Sequence, residues 1–255
     1  MKIHGKGWFN AKMTTKNATS MSSKRSCLII PSANCADAMF TSGAGALIFD
    51  FADEEATERH APLLRRAREA QGPSRLLVRL PKLDDLFFDL ALERLRATAP
   101  DGVVLQATEG AASVQQLGSR LAVFEAEADV ADGSTRIVAE LSTPAGFLAS
   151  ATLARASRRL EALLFGRAAL ALALGTDEVS APVESARALL VLSAAAAGVK
   201  AFDAPCGDPG KLEAECLAAR RDGFFGKCAA NEVDIGVIER VFAASSAEKS
   251  PHSPR

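Results

Sequence analysis

The chain contains no tyrosine and only three histidines, His4, His60 and His252. His4 and His252 stand near the two ends. His60 falls in a stretch with Ala56, Leu63, Leu64 and Ala67 at helical spacing, where a packing or helix-surface histidine is expected. The sequence therefore argues against a histidine general base and against a His-based metal centre. Acid–base work falls to carboxylates, lysine, cysteine or water. The five cysteines form no Cys-x-x-Cys pair, which removes the usual zinc and disulfide frameworks. No apolar run approaches the roughly 18 residues that span a bilayer. A net charge of −1 gives no electrostatic reason to expect nucleic acid or an anionic membrane as partner. A cytoplasmic protein with reduced cysteines is the plain expectation.

What is present is a repeating pattern. Short uninterrupted apolar runs occur at Leu28–Ile30, Ala46–Phe49, Leu76–Val78, Val103–Leu105, Ile137–Leu141, Leu163–Phe165, Val199–Phe202 and Phe224–Cys228. Such runs are expected of parallel strands covered on both faces. Amphipathic stretches lie between them, among them Glu54–Ala70, Leu83–Ala97, Val183–Ala197 and Leu212–Arg221. Eight strand-like runs in 255 residues predict a single (β/α)8 barrel over residues 25–242. An open doubly wound sheet is the alternative, but no Gly-x-Gly-x-x-Gly follows the first strand. Ser42-Gly43-Ala44-Gly45 precedes its strand and reads as a helix stop. Residues 1–24 carry five lysines and no acid, which predicts a disordered extension, and residues 243–255 predict a loose tail.

In a β/α barrel the chemistry sits where strands end and the following loops begin. That rule selects Asp50 and Asp53 as candidate bases. Arg79 is a candidate carboxylate-binding fork, with an ion pair to Asp50 or Asp53 as its structural alternative. Asp53 is as well placed to cap a helix. Asp203 and Lys227 are placed to meet as an ion pair at the rim.

Read in order, the strand ends resemble those of the citrate lyase β-subunit group in the aldolase/citrate lyase superfamily. Arg25-Ser26-Cys27-Leu28-Ile29-Ile30-Pro31 is similar to the family's Arg-Ser-x-Leu-Phe-Val-Pro opening. Asp50-Phe51-Ala52-Asp53 stands where the family has Asp-Leu-Glu-Asp, and Val78-Arg79-Leu80 matches Val-Arg-x-Asn. Asp101 to Leu105 resembles Asp-Gly-Ile-Val-Leu, Leu141 to Gly146 resembles Ile-Glu-Thr-Pro-x-Gly, and Gly226-Lys227 resembles the start of Gly-Lys-x-x-Ile-His-Pro. The resemblance implies a carbon–carbon lyase acting on citryl-, malyl- or citramalyl-coenzyme A thioesters. It implies Mg2+ on the keto- or hydroxy-acid part, with Arg79 and Lys227 as substrate-binding residues. An acyl-CoA or keto-acid is the implied ligand, and a homo-oligomer or association with an active relative the implied assembly.

The departures from the family pattern fall on that chemistry. Ala52 replaces a glutamate, and Gln106-Ala107 replaces Pro-Lys. Ser142 and Ala169 stand where the family's metal carboxylates belong. Glu140 is the one replacement ligand available. It lies two residues earlier on the same strand face, about 7 Å deeper. Two readings follow: a lyase with replacement ligands, or a barrel that has lost the reaction and serves as a binding or regulatory partner.

Overall fold

A computed structural model of the chain describes residues 23–31, 35–70, 72, 74–97 and 100–243. The expected N-terminal extension, apart from residues 23 and 24, and nearly all of the C-terminal tail lie outside these residues. Eight parallel strands close into one barrel in chain order, so the (β/α)8 expectation holds. They are β1 (Ser26–Ile29), β2 (Ala46–Asp50), β3 (Arg75–Leu80), β4 (Gly102–Leu105), β5 (Arg136–Leu141), β6 (Leu160–Phe165), β7 (Lys200–Asp203) and β8 (Gly226–Ala229). The α-helices are α1 (Glu54–Glu69), α2 (Phe88–Arg94), α3 (Ala111–Glu127), α4 (Pro144–Ala149), α5 (Arg167–Leu174), α6 (Ala181–Ala197), α7 (Leu212–Asp222) and α8 (Asp234–Ala243).

Two expected boundaries shift for local reasons. The helix expected from Leu83 begins at Phe88, because Asp85 folds a turn first: its Oδ1 accepts from Phe87 N at 2.9 Å and its carbonyl from Phe88 N at 3.0 Å. Phe224 belongs to the cap of α7 and not to β8. Gly223 takes φ +99°, which turns the chain so that Phe224 N reaches Ala219 O at 3.0 Å.

Strand alternation divides the core in two. One set, with Leu28, Leu47, Val78, Leu163 and their neighbours, packs outward against the helices. The other fills the barrel: Cys27, Ile48, Leu77, Val138, Leu164 and Phe202 are among its members. Residues two further along each strand keep the inward direction. Asp50, Arg79 and Glu140 therefore point into the mouth at the C-terminal ends, whereas Asp203 and Lys227, at odd spacing from Phe202 and Cys228, point out toward the helices.

Candidate functional site

Asp50 and Arg79 end adjacent strands and are register partners. Arg79 reaches across to Glu140 of β5, where Nη2 donates to Oε1 at 3.0 Å and Nε lies 2.9 Å from Oε2. The second contact is off the hydrogen-bonding line, so Nε is a buried donor without an aligned acceptor. Asp50 Oδ2 stands 3.7 Å from Arg79 Nη1, and Asp50 Oδ1 accepts from Ala52 N at 3.1 Å. Desolvation works against the Arg79 charge, but Glu140 and Asp50 outweigh it and hold the guanidinium firmly protonated. Burial pushes the Glu140 carboxyl above its usual range against the pull of Arg79.

The structure brings Asp50, Arg79 and Glu140 together and leaves the other expected residues elsewhere. Asp53 is the N-cap of α1, its Oδ1 accepting from Ala56 N at 2.7 Å. Lys227 is fully buried behind β8, 3.1 Å from Asp203 Oδ2 and 3.0 Å from Glu215 Oε2 of α7. The ion pair with Asp203 therefore exists, but between the sheet and the helices instead of at the rim. Arg187 of α6 completes it, with Nη2 3.1 Å from Asp203 Oδ2 and Nη1 2.7 Å from Asp222. Among the described residues the partners of the Lys227 ammonium are Asp203 and Glu215, neither of them at the mouth.

His60 also found its place in packing. Its Nδ1 accepts from Asp50 N at 2.6 Å, and its ring meets Phe49 edge-on. Two of the thiols are held in the protonated form: burial pushes Cys216 to about 11, and Cys228, inside the barrel beside Cys27, is raised by that thiol contact and by burial.

The residues present do not fit the magnesium ion that the resemblance implies. Mg2+ needs several hard oxygen ligands. Both Glu140 oxygens face Arg79, which makes this carboxylate a partner for an arginine and not a metal ligand in waiting. Ser142 presents only a hydroxyl, and Ala169 only an exposed methyl. Among the described residues no group of three or more His, Cys, Asp or Glu side chains is arranged to hold a metal. The local backbone also leaves little room for larger side chains here: a Cβ on Gly166 would stand 2.4 Å from Ser142 Cβ and 3.1 Å from Glu140 Oε1. Among the described residues the cluster sets one arginine, Arg79, against two carboxylates, Asp50 and Glu140, a balance that does not attract another carboxylate.

Comparison with known proteins agrees with this frame. The HpcH/HpaI aldolase/citrate lyase family model matches residues 25–227. A citrate lyase subunit beta of Haemophilus influenzae is 28% identical over 235 residues, covering 88% of this chain and 81% of that protein. The crystal structure of RipC from Yersinia pestis superposes with a TM-score of 0.70 at 30% identity, covering 88% of this chain and 97% of RipC. CitE from Mycobacterium tuberculosis, solved with magnesium, acetoacetate and coenzyme A, has the same fold at 21% identity and a TM-score of 0.68, covering 91% of each chain. No helix of the described residues is long and apolar enough to cross a membrane. The chain belongs to the HpcH/HpaI aldolase/citrate lyase family.

Proposed function

We propose that this barrel has kept the frame of its family without the metal-dependent cleavage, and works as a non-catalytic binding partner. The observation that carries this reading is the Arg79–Glu140 pair. The arginine suited to a substrate carboxylate already faces one inside the protein. No carboxylate stands at Ser142 or Ala169 to bring a cation that would change the balance. Fold alone does not confer the reaction.

The second reading, a citrate lyase β-like lyase on a citryl-, malyl- or citramalyl-CoA type thioester, is favoured by Arg79 and Asp50. Both remain partly exposed at strand ends, 26% and 29%. One experiment separates the two. Mg2+ and Mn2+ are titrated calorimetrically into the protein, and cleavage of the three thioesters is then assayed. Silence in both, with metal binding recovered in the Ser142→Glu, Ala169→Asp double variant, supports the non-catalytic reading. Metal-dependent cleavage that disappears in Arg79→Ala overturns it.

The partner in this reading is a second copy of the chain. Leu148, Leu172, Leu174, Val179, Leu189 and Leu192 are exposed on α4, α5, α6 and the loop between the last two. Exposed apolar side chains of this kind are what a standard interface, about 800 Å2 on each partner, covers. The face also has complementary ends. Asp177, Glu178 and Glu184 stand at the start of α6. Arg155 and Arg158 follow the 3-10 turn whose Ser150 contacts Ser193 near the end of α6. A two-fold arrangement brings the acidic end of one copy to the basic end of the other. Light scattering at micromolar concentration is expected to show a dimer or larger assembly that Leu172→Glu with Leu192→Glu splits into monomers. A wild-type monomer refutes it.

A further inference from the structure

A closed barrel has one seam that no short chain connection spans, where the first strand meets the last. Here β1 pairs with β8 through Ser26↔Lys227, Cys27↔Cys228 and Leu28↔Ala229. The two backbones approach closely at this seam. Lys227 N donates to Arg25 O at 2.9 Å, and a Cβ on Gly226 would stand 1.9 Å from that same oxygen. Closure thus makes direct neighbours of two cysteines that lie at opposite ends of the domain in sequence.

Both thiols belong to the set that fills the barrel, Cys27 at 4% exposure and Cys228 at 0%. Register partners on neighbouring parallel strands stand about 4.8 Å apart at Cα, within the roughly 4.4–6.8 Å that a disulfide bridges. In a flat sheet their Cβ atoms stay about as far apart, beyond the roughly 3.5–4.5 Å that the bond requires. Inward side chains of a closed barrel converge on its axis, and that convergence draws the two Cβ atoms together. The thiols already interact: Cys228 is hydrogen-bonded to Cys27, which together with burial keeps the Cys228 proton in place. A cavity of about 10 Å3 lies beside them, walled otherwise by Ile48, Leu77, Val138, Leu164 and Phe202. That is room for one water-sized group among apolar side chains. Among the described residues no group of three or more His, Cys, Asp or Glu side chains could hold a metal, so the pair is not part of a thiolate metal centre.

We propose that Cys27 and Cys228 are a dithiol oxidation site, which a hydroperoxide converts into a disulfide joining the first strand of the barrel to the last. The roles follow from the hydrogen bond. Cys228 donates its S–H to the Cys27 sulfur, so Cys27 is the thiol whose anion is stabilised and which attacks. The Cys27 thiolate takes one peroxide oxygen, the O–O bond breaks, and hydroxide leaves with the proton that Cys27 gave up, as water. The sulfenic oxygen on Cys27 occupies the cavity. The Cys228 sulfur then displaces that hydroxyl, which leaves with the Cys228 proton as a second water while the S–S bond forms. Two thiols and one hydrogen peroxide give one disulfide and two waters, and the two electrons lost by sulfur reduce the O–O bond. The link closes a loop of about 200 residues, which restricts the unfolded chain and fixes the seam. Burial selects a small neutral oxidant over a bulky disulfide such as oxidised glutathione.

The test treats the folded full-length protein with excess hydrogen peroxide or with oxidised glutathione in metal-free buffer. Remaining thiols are then alkylated under denaturing conditions, and peptides are mapped by mass spectrometry without reduction. Peroxide is expected to yield a Cys27–Cys228 linked peptide, lighter by two hydrogens and cleaved by dithiothreitol, and to raise the thermal unfolding midpoint. Oxidised glutathione is expected to leave the pair reduced. Cys27→Ala and Cys228→Ala are each expected to abolish the link and the rise in midpoint. Mapping of the wild-type protein decides even where a variant fails to fold, and Cys35, only half-buried, reports that the oxidant was active. Oxidation of Cys35 with no link between Cys27 and Cys228 overturns the proposal. So does a midpoint rise that persists in both variants, or a link formed equally fast by oxidised glutathione.

Discussion

Glu140 on β5 and Arg79 on β3 meet across the barrel mouth, two strands apart, with both carboxylate oxygens turned to the guanidinium at 2.9 and 3.0 Å. The pair joins the residue singled out as a substrate-binding fork to the residue singled out as a replacement metal ligand, and each answers the other's charge. Removing one partner of a buried pair costs more than the pair contributes, because the survivor is left desolvated. Glu140→Gln is therefore expected to destabilise the protein by about 2–4 kcal/mol, below the cost of a fully buried pair because Arg79 keeps some water. It is also expected to create an affinity for acetate or acetoacetate that the wild-type protein lacks. Chemical denaturation and calorimetric titration of the same variant check both halves, and unchanged stability would show that the pair is not formed in solution.

The cluster behind β7 and β8 makes a separate prediction. Lys227 sits at zero exposure between Asp203 and Glu215, and Arg187 and Arg167 remain near Asp203 when Lys227 is removed. Lys227→Ala is expected to lose about 3 kcal/mol, the low end for breaking a buried pair. Urea denaturation measures this. A loss below 1 kcal/mol would mean that the arginines alone hold Asp203.

The pH dependence has two signs. Burial raises Asp203, Glu215 and Glu125, but the cations beside the first two, and Arg159 with two backbone N–H groups beside the third, outweigh it and depress all three. A depressed carboxyl contributes stability that is present above its unfolded value, about 4, and is lost as the pH falls through the folded one. Glu140 is raised, so its contribution runs the other way: it favours the folded state at low pH and fades as the pH rises through its folded value. Unfolding midpoints from pH 2 to 8 are expected to drop steeply on the acid side. Asp203→Asn is expected to flatten that slope, and an unchanged slope would rule out Asp203 as its source.

Gly166→Ala tests the geometry at the missing metal position. The added methyl would overlap Ser142 Cβ at 2.4 Å, and Ser142 is itself buried. A loss of about 1–3 kcal/mol is expected, as for other overpacked sites. Thermal unfolding of this variant beside Gly207→Ala, whose added Cβ has no heavy atom within 4 Å, gives the comparison.

Much of this was legible in the residues. The apolar runs named the eight strands, because a strand covered on both faces needs no alternation. The strand-end rule named Asp50, Arg79 and Glu140. Ser142 and Ala169 could be read as lost metal carboxylates because chemistry depends on residue type at a position. Helix capping by Asp53 was visible from its place before Glu54 and Glu55. Other features depended on direction. Whether Lys227 faces the mouth or the helices turns on the parity of one residue in a short strand, which apolar runs do not specify. The register shift between β5 and β6 at Ile137 and Val138 leaves no mark in composition, nor does the meeting of Glu161 with Arg75 and Arg136 from two other strands. Sequence determined which side chains this barrel owns and which its family's chemistry misses. Closure of the sheet decided which of them share a layer, since strand parity and register are set only when all eight strands pair.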